Sequence, residues 1–187
     1  MGNMDNINKK KTIEKRIIIC LLSVITLMVL ILAGRIVISW INSGRIDAIH
    51  SDASNVHSSA KFYFTDMKEK GFSIEEHSDI TKIGIIFNDR DVWSGGDVLE
   101  NAMFTDSDFK DSDKYVSFDW IMSETFFTPT GRAVVWADES GIAAVAWCRG
   151  TTAPTVEYTV NGWDGLHDEK YSIQKSGGFV GLYPYPY

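Results

Sequence analysis

Eighteen consecutive residues, Ile17 to Gly34 (IIICLLSVITLMVLILAG), carry no charge. A helix rising about 1.5 Å per residue makes that run roughly 27 Å long, close to the hydrocarbon thickness of a bilayer. If Arg35 snorkels to the interface, IVISWI prolongs the segment to Ile41 and sets Trp40 at headgroup depth as an aromatic anchor. The sequence therefore predicts a transmembrane helix over residues 17–41. A cleaved signal peptide also begins basic and then apolar, and Val37 and Ser39 would suit its cleavage site. Its apolar region, however, is usually only about 7–15 residues long, so a retained anchor is the expectation. Leu32-Ala33-Gly34 starts like a lipoprotein box, but Arg35 stands where the lipidated Cys belongs. Asn6 occupies the position at which myristoylation of Gly2 requires Ser or Thr.

Lys9, Lys10, Lys11, Lys15 and Arg16 precede the span, against Arg35 and Arg45 at its far end. Positive-inside counting makes residues 1–16 a cytoplasmic basic tail and places residues 42–187 outside the cell membrane. Residues 1–16 hold five basic and two acidic residues, net +3, whereas residues 42–187 hold 12 basic and 23 acidic, net −11. Such a field repels nucleic acid and anionic headgroups, so nucleic acid is not expected as a partner. The bilayer itself is, through the anchor.

Cys20 lies inside the span and Cys148 stands alone beyond it, so no disulfide joins them and the outer part must be held by its core. Within AVAWC, Cys148 reads as a small buried hydrophobe. The 146 residues from 42 to 187 are enough for one domain.

Ile46, Ile49, Ala53, Val56, Ala60, Tyr63 and Met67 recur at alternating intervals of three and four, predicting an amphipathic stem helix over residues 42–71. Asp66 and Lys70 form an i,i+4 pair, and Gly71 is a natural stop. The sevenfold spacing also admits a coiled coil, hence a homo-oligomer through the stem. With two Ala in the stripe, packing against its own domain is the preferred reading. His50 and His57 fall seven apart on one face, but without a third ligand nearby they read as helix-packing or solvent-facing residues rather than a metal site.

After Gly71 the period becomes extended. Ile83 to Phe87 predict a strand entering a turn at Asn88–Asp91, then Val92 and Trp93. Ser94-Gly95-Gly96 reads as a turn without the spacing or Lys of a phosphate loop, and Asp97–Phe104 as a short Asp-capped helix with Val98, Leu99, Ala102 and Met103 inward. Thr105–Lys114 is an acidic loop whose Asp106, Asp108, Asp111 and Asp113 lack the central Gly and distal Glu of a calcium loop; any cation would bind here. From Tyr115 an antiparallel sheet is expected. Its elements are a strand through Tyr115, Val116, Phe118, Trp120 and Ile121, a hairpin of Ala133–Ala137 with Ile142–Cys148, and strands around Val156–Val160, Tyr171–Ile173 and Phe179–Val180. Tyr183-Pro184-Tyr185-Pro186-Tyr187 should be an extended tail, packed as an edge cover or exposed.

No GxSxG, HExxH, P-loop or SxxK motif occurs, and no Cys has a motif-level His partner. Asp119 with Glu124, or Asp138 with Glu139, could be paired as glycosidase-like carboxylates, a pattern any acidic domain offers. No catalytic residue, cofactor or metal ligand is therefore assigned.

A basic start, one apolar helix running into an amphipathic one (RIDAIHSDASNVHSSAKFYFTDMKEKG) and a closing antiparallel sheet together resemble the type IV pilin and pseudopilin family. Ala53 to Gly71, with small residues before KFYF, is similar to the second half of a pilin stem. GRAVVWADESGIAAVAWC and the terminal GLYPYPY are similar to pilin-like proteins of low-GC Gram-positive bacteria. The resemblance implies a pilin-like α+β fold whose stem packs on the sheet. It also implies a non-enzymatic structural or accessory subunit of a pilus-like surface or secretion assembly, partnered by other membrane helices or assembly subunits. It stops short of the family's processing site, because KKKTIEKRIII has no Gly at the boundary and Glu14 precedes the span. The competing expectation is a membrane-tethered binding module, of immunity or sensor type, that sequesters a basic protein or ligand through its acidic face and exposed aromatic residues, Trp93, Trp163 and the C-terminal tyrosines.

Overall fold

The structure, a computed structural model, describes residues 2–125, 130–164 and 179–185. The chain forms two compact units, Met1–Gly44 and Arg45–Tyr187, and helix α1 (Gly2–Glu69, 68 residues) contributes to both.

In the first unit every residue from Ile18 to Ile41 is exposed, so this part of α1 shows its apolar side chains on all sides. An 18-residue window reaches a mean hydropathy of 2.6 with none of it buried, and this is the one helix among the described residues long and apolar enough to cross a membrane.

In the second unit the predicted stripe is buried in full: Ile46, Ile49, Ala53, Val56, Ala60, Tyr63 and Met67. A third column, His50, His57 and Phe64, lies beside it, which widens the apolar face to three residues in seven and suits a helix lying on a sheet. The helix ends in a Schellman motif. Gly71 takes φ 98°, its N–H reaches Lys68 O at 3.1 Å, and the Phe72 N–H reaches Met67 O at 3.1 Å. Lys70 pairs with Asp66 at 2.7 Å, as the i,i+4 spacing predicts.

The stem packs on a fully antiparallel sheet of order β2-β1-β3-β4-β7, formed by β1 (Thr81–Asp89), β2 (Val92–Ser94), β3 (Gly131–Asp138), β4 (Gly141–Arg149) and β7 (Val180–Tyr183). The fold class is thus α+β. Alternation sorts the central strands. Ala133, Val135, Ala137, Val145 and Trp147 join the stem's core, while Val134, Trp136, Ala144 and Ala146 join a second cluster on the other face. That second face is covered by a separate hairpin of β5 (Glu157–Thr159) and β6 (Gly162–Asp164), through Tyr158 and Trp163.

Three expectations need correction. Residues 118–121 are not a strand: Phe118–Thr125 form helix α3. The apolar residues there look alternating, but Phe118 and Met122, four apart, are the buried pair, and Ser117 Oγ accepts the Trp120 N–H at 3.3 Å as an N-cap. Helix α2 (Gly96–Met103) carries no Asp side-chain cap at its start, and its Val98 is 49% exposed although Leu99 and Met103 are buried. Val156–Val160 does not extend the main sheet, and Val160, at 89% exposure, sits in the turn of the small hairpin. The strand expected at Tyr171–Ile173 lies outside the described residues.

Gly181 marks the closest approach of sheet and stem, because a Cβ there would overlap the backbone of Ile49. Gly181→Ala should therefore destabilise the unit by about 1–3 kcal/mol in denaturant unfolding followed by tryptophan fluorescence. Gly44→Ala, whose added methyl meets nothing within 4 Å, should be neutral or slightly stabilising.

Candidate functional site

Two polar seams cross the core of the second unit, and both involve the stem. The first centres on Glu100 of α2, 1% exposed. Leu99 and Met103 turn the same side of α2 into the core, so the Glu100 carboxylate is carried in with them. There Oε1 accepts the Phe118 N–H at 2.6 Å and Oε2 accepts the Tyr115 hydroxyl at 2.8 Å. The Tyr63 hydroxyl lies 2.9 Å from Oε1 and 2.8 Å from Val116 O, sharing its proton between them. Burial first, and the adjacent Glu100 second, push both phenols well above the ordinary tyrosine value, so they remain protonated donors.

The Phe118 amide opens α3 and would otherwise lack a helical partner. The reverse contact matches it: Asp119 Oδ1, in the first turn of α3, accepts the Gly96 N–H that opens α2 at 2.9 Å. Each short helix thus caps the other. Burial raises the Asp119 pKa, the Gly96 bond opposes that, and the charge of Glu100 adds to it. A Cβ at position 96 would meet Asp119 Oδ1 at 2.5 Å and the Phe118 ring at 2.8 Å, so any larger residue would displace the capping carboxylate and the ring beside it.

The second seam joins α1 to the C-terminal strand. His50 Nδ1 lies 2.8 Å from Leu182 N and 3.1 Å from Leu182 O; the shorter contact assigns Nδ1 as acceptor and the ring proton to Nε2. His57 Nε2 donates to Ile142 O at 2.9 Å. Tyr185 packs on His50 and Tyr183 on His57, each with ring centroids 4.3 Å apart. The two histidines are therefore neither solvent-facing nor grouped for a metal. They fasten residues 180–185, so Tyr183 is packed against the stem while Tyr185 lies on His50 with its other side exposed. Trp163 adds a bond to Pro184 O at 2.7 Å from the opposite face. Farther along β4, Arg149 holds one oxygen of Asp52 through Nε at 3.1 Å and a terminal nitrogen at 2.9 Å.

The remaining sequence candidates are dispersed. Asp119 is committed to α2, while Glu124, on the same helix, is exposed. Asp138 accepts the Ser140 N–H at 2.8 Å and its hydroxyl at 2.6 Å inside the β3–β4 turn, and the neighbouring Glu139 is exposed. In the acidic loop Asp108 accepts the Ser107 hydroxyl and Asp111 closes a one-turn 3-10 helix. Among the described residues no three His, Cys, Asp or Glu side chains come together in a way that could hold a metal. Cys148 is buried, which raises its thiol pKa.

Sequence reasoning missed Glu100 and its phenols. The available signal was the DVLENAM spacing, in which Glu100 shares the inward face with Leu99 and Met103. Removing the carboxylate in Glu100→Leu leaves the Phe118 N–H and two phenols without it, and should cost about 3 kcal/mol or more in unfolding free energy. Tyr63→Phe, which deletes one buried hydroxyl, should cost about 1–2 kcal/mol in the same denaturant titration. Set against protein-family profiles, curated proteins and solved structures, the chain matches none.

Proposed function

We propose that the chain is a single-pass, membrane-anchored structural or accessory subunit of a pilus-like surface or secretion assembly, with residues 1–16 cytoplasmic and residues 42–187 extracytoplasmic. The observation that supports this reading is helix α1. One element carries an apolar segment able to span a bilayer and the stem stripe that packs on an antiparallel sheet. The stripe is consumed inside the second unit, so lateral association falls to the apolar segment. There Ser23 and Thr26 fold their hydroxyls back onto Ile19 O and Leu22 O at 2.8 Å each, which leaves small surfaces for another helix. Ala33 and Gly34 extend that small-residue character.

A second reading, a tethered binding module, draws on the net charge of −11 over residues 42–187 and on the exposed Trp120; of the tryptophans expected at its surface, Trp93 is instead buried against Trp147 and Trp163 is half-buried against Trp136. One set of experiments separates the two. In a Cys20→Ser background, single cysteines introduced from Ser23 to Val37 in native membranes should form disulfide-linked dimers with a period of three to four residues, strongest at Ser23, Thr26 and Ala33. Buried Cys148 should not contribute. Protease added to whole cells should remove residues 45–187. Absence of any periodic cross-linking, with recovery of one tightly bound soluble basic protein, would transfer the assignment to the binding module.

A further inference from the structure

The C-terminal strand is held to the stem by the only two histidines on α1, and both are 7% exposed. Strand β7 is an edge strand, paired on one side with β4 from Val145↔Tyr183 to Cys148↔Val180. Leu182 turns its N–H and C=O away from β4 toward His50, so this ring satisfies the edge that the sheet leaves open. His57, two helical turns along, bonds Ile142 O on β4 and packs under Tyr183.

We propose that His50 and His57 form an acid-released clasp: when both rings take up a proton, Val180–Tyr185 leaves the stem while the β1–β3–β4 sheet stays folded. A protonated His50 can no longer accept the Leu182 N–H at Nδ1. It can only turn to the carbonyl at 3.1 Å, which orphans the amide and leaves a cation in a nearly closed site. A protonated His57 keeps its bond to Ile142 O but places a charge between the stem and Tyr183.

The surroundings offer little compensation. Among the described residues, the charged groups bearing on the rings from α1 are Asp47, which favours the His50 cation, and Lys61, which opposes the His57 cation. Of the described residues 179–185, the titratable groups facing the rings are the phenols of Tyr183 and Tyr185, and on β4 the guanidinium of Arg149 is engaged with Asp52. Burial is the largest influence on both rings and lowers both pKa values below 6.5. The sign follows. The closed state binds fewer protons than the open one, so the closed state is fully favoured above about pH 6.5 and loses ground as pH falls from there through the lowered values. With an open-state value near 6.5, each histidine can raise the opening equilibrium by at most about tenfold between pH 7.5 and 5.5, and the pair by at most about 100-fold.

Hydrogen exchange by mass spectrometry on the full-length protein in detergent micelles, normalised for intrinsic rates, reads this directly. Between pH 7.5 and 5.5, opening in peptides covering residues 179–185 should rise by more than about threefold and up to about 100-fold, with peptides in β3 unchanged. His50→Asn with His57→Gln keeps an acceptor near Nδ1 and a donor near Nε2 without a titrating ring, and should abolish the rise. That variant leaves His77 and His167 in place, so it also removes them as the source. A smaller rise, an equal rise in β3, or an unaltered rise in the variant overturns the clasp. Should the variant not fold, the comparison of β7 with β3 in the unmodified protein decides alone.

Discussion

The stem meets the sheet through side chains with almost no bulk: Ala53 and Ala60 on α1, and Gly181 on β7, where a single methyl would overlap the helix backbone. Close approach of this kind lets backbone dispersion and burial act over a wide area, and it leaves no room for an alternative side chain. It also explains the sizes around it. Val56 fills between the alanines and Ile49 lies one turn before them, while the large rings, Tyr63, Phe64, Phe104 and Phe118, gather toward the end of the stem where α2 and α3 replace the sheet as the packing surface. The rise in size from Ala53 and Ala60 to Tyr63 and Phe64 along one helix face follows the change from strand to helix beneath it.

Helices of eight residues are not stable from propensity alone, and α2 and α3 exist because each supplies what the other lacks. Glu100 terminates α3 at its first amide and Asp119 terminates α2 at its first amide, with Tyr63 of the stem locked onto the same carboxylate. A buried carboxylate is tolerated when its lone pairs are occupied, and here one backbone donor and two phenols occupy them. The cost of burial is thereby converted into a fixed geometry between two short helices and the stem. Asp119, a reactive candidate by type, serves as a helix cap by position.

Much of this architecture was legible because hydrophobic period is a strong signal over long elements. The seven-residue stripe of the stem, the Gly71 stop, the β3–β4 hairpin and the turn at Asn88–Asp91 all follow from local rules that tertiary structure did not override. What failed is short. In Phe118–Ile121 an apolar residue at nearly every second position mimics a strand, and the deciding features are a remote one, the Glu100 cap, and a weak one, the Ser117 N-cap. The histidine column was visible as a seven-residue spacing, yet nothing in the stem itself states that Leu182 on the distant edge strand would need the His50 ring, or that Ile142 on β4 would need the His57 ring. Polar residues in a core are set by their partners, and those partners are distant in sequence.

The change of pattern along α1 has its own logic. From Ile18 to Ile41 large apolar residues point in every direction and are all exposed, an arrangement that is unfavourable in water at about 25 cal/mol per Å² and becomes favourable in hydrocarbon. From Arg45 the apolar residues, exposed Phe62 apart, contract to one face, and the other faces carry Asp47, Lys61, Lys68 and Glu69, as water requires. The two compact units divide between Gly44 and Arg45, within four residues of that change in pattern. A helix can be continuous through such a point because its backbone hydrogen bonds are satisfied internally in either solvent; only the side chains must know which one surrounds them. The sequence therefore encodes an environment as well as a conformation, and it does so in the angular width of the apolar surface rather than in any motif.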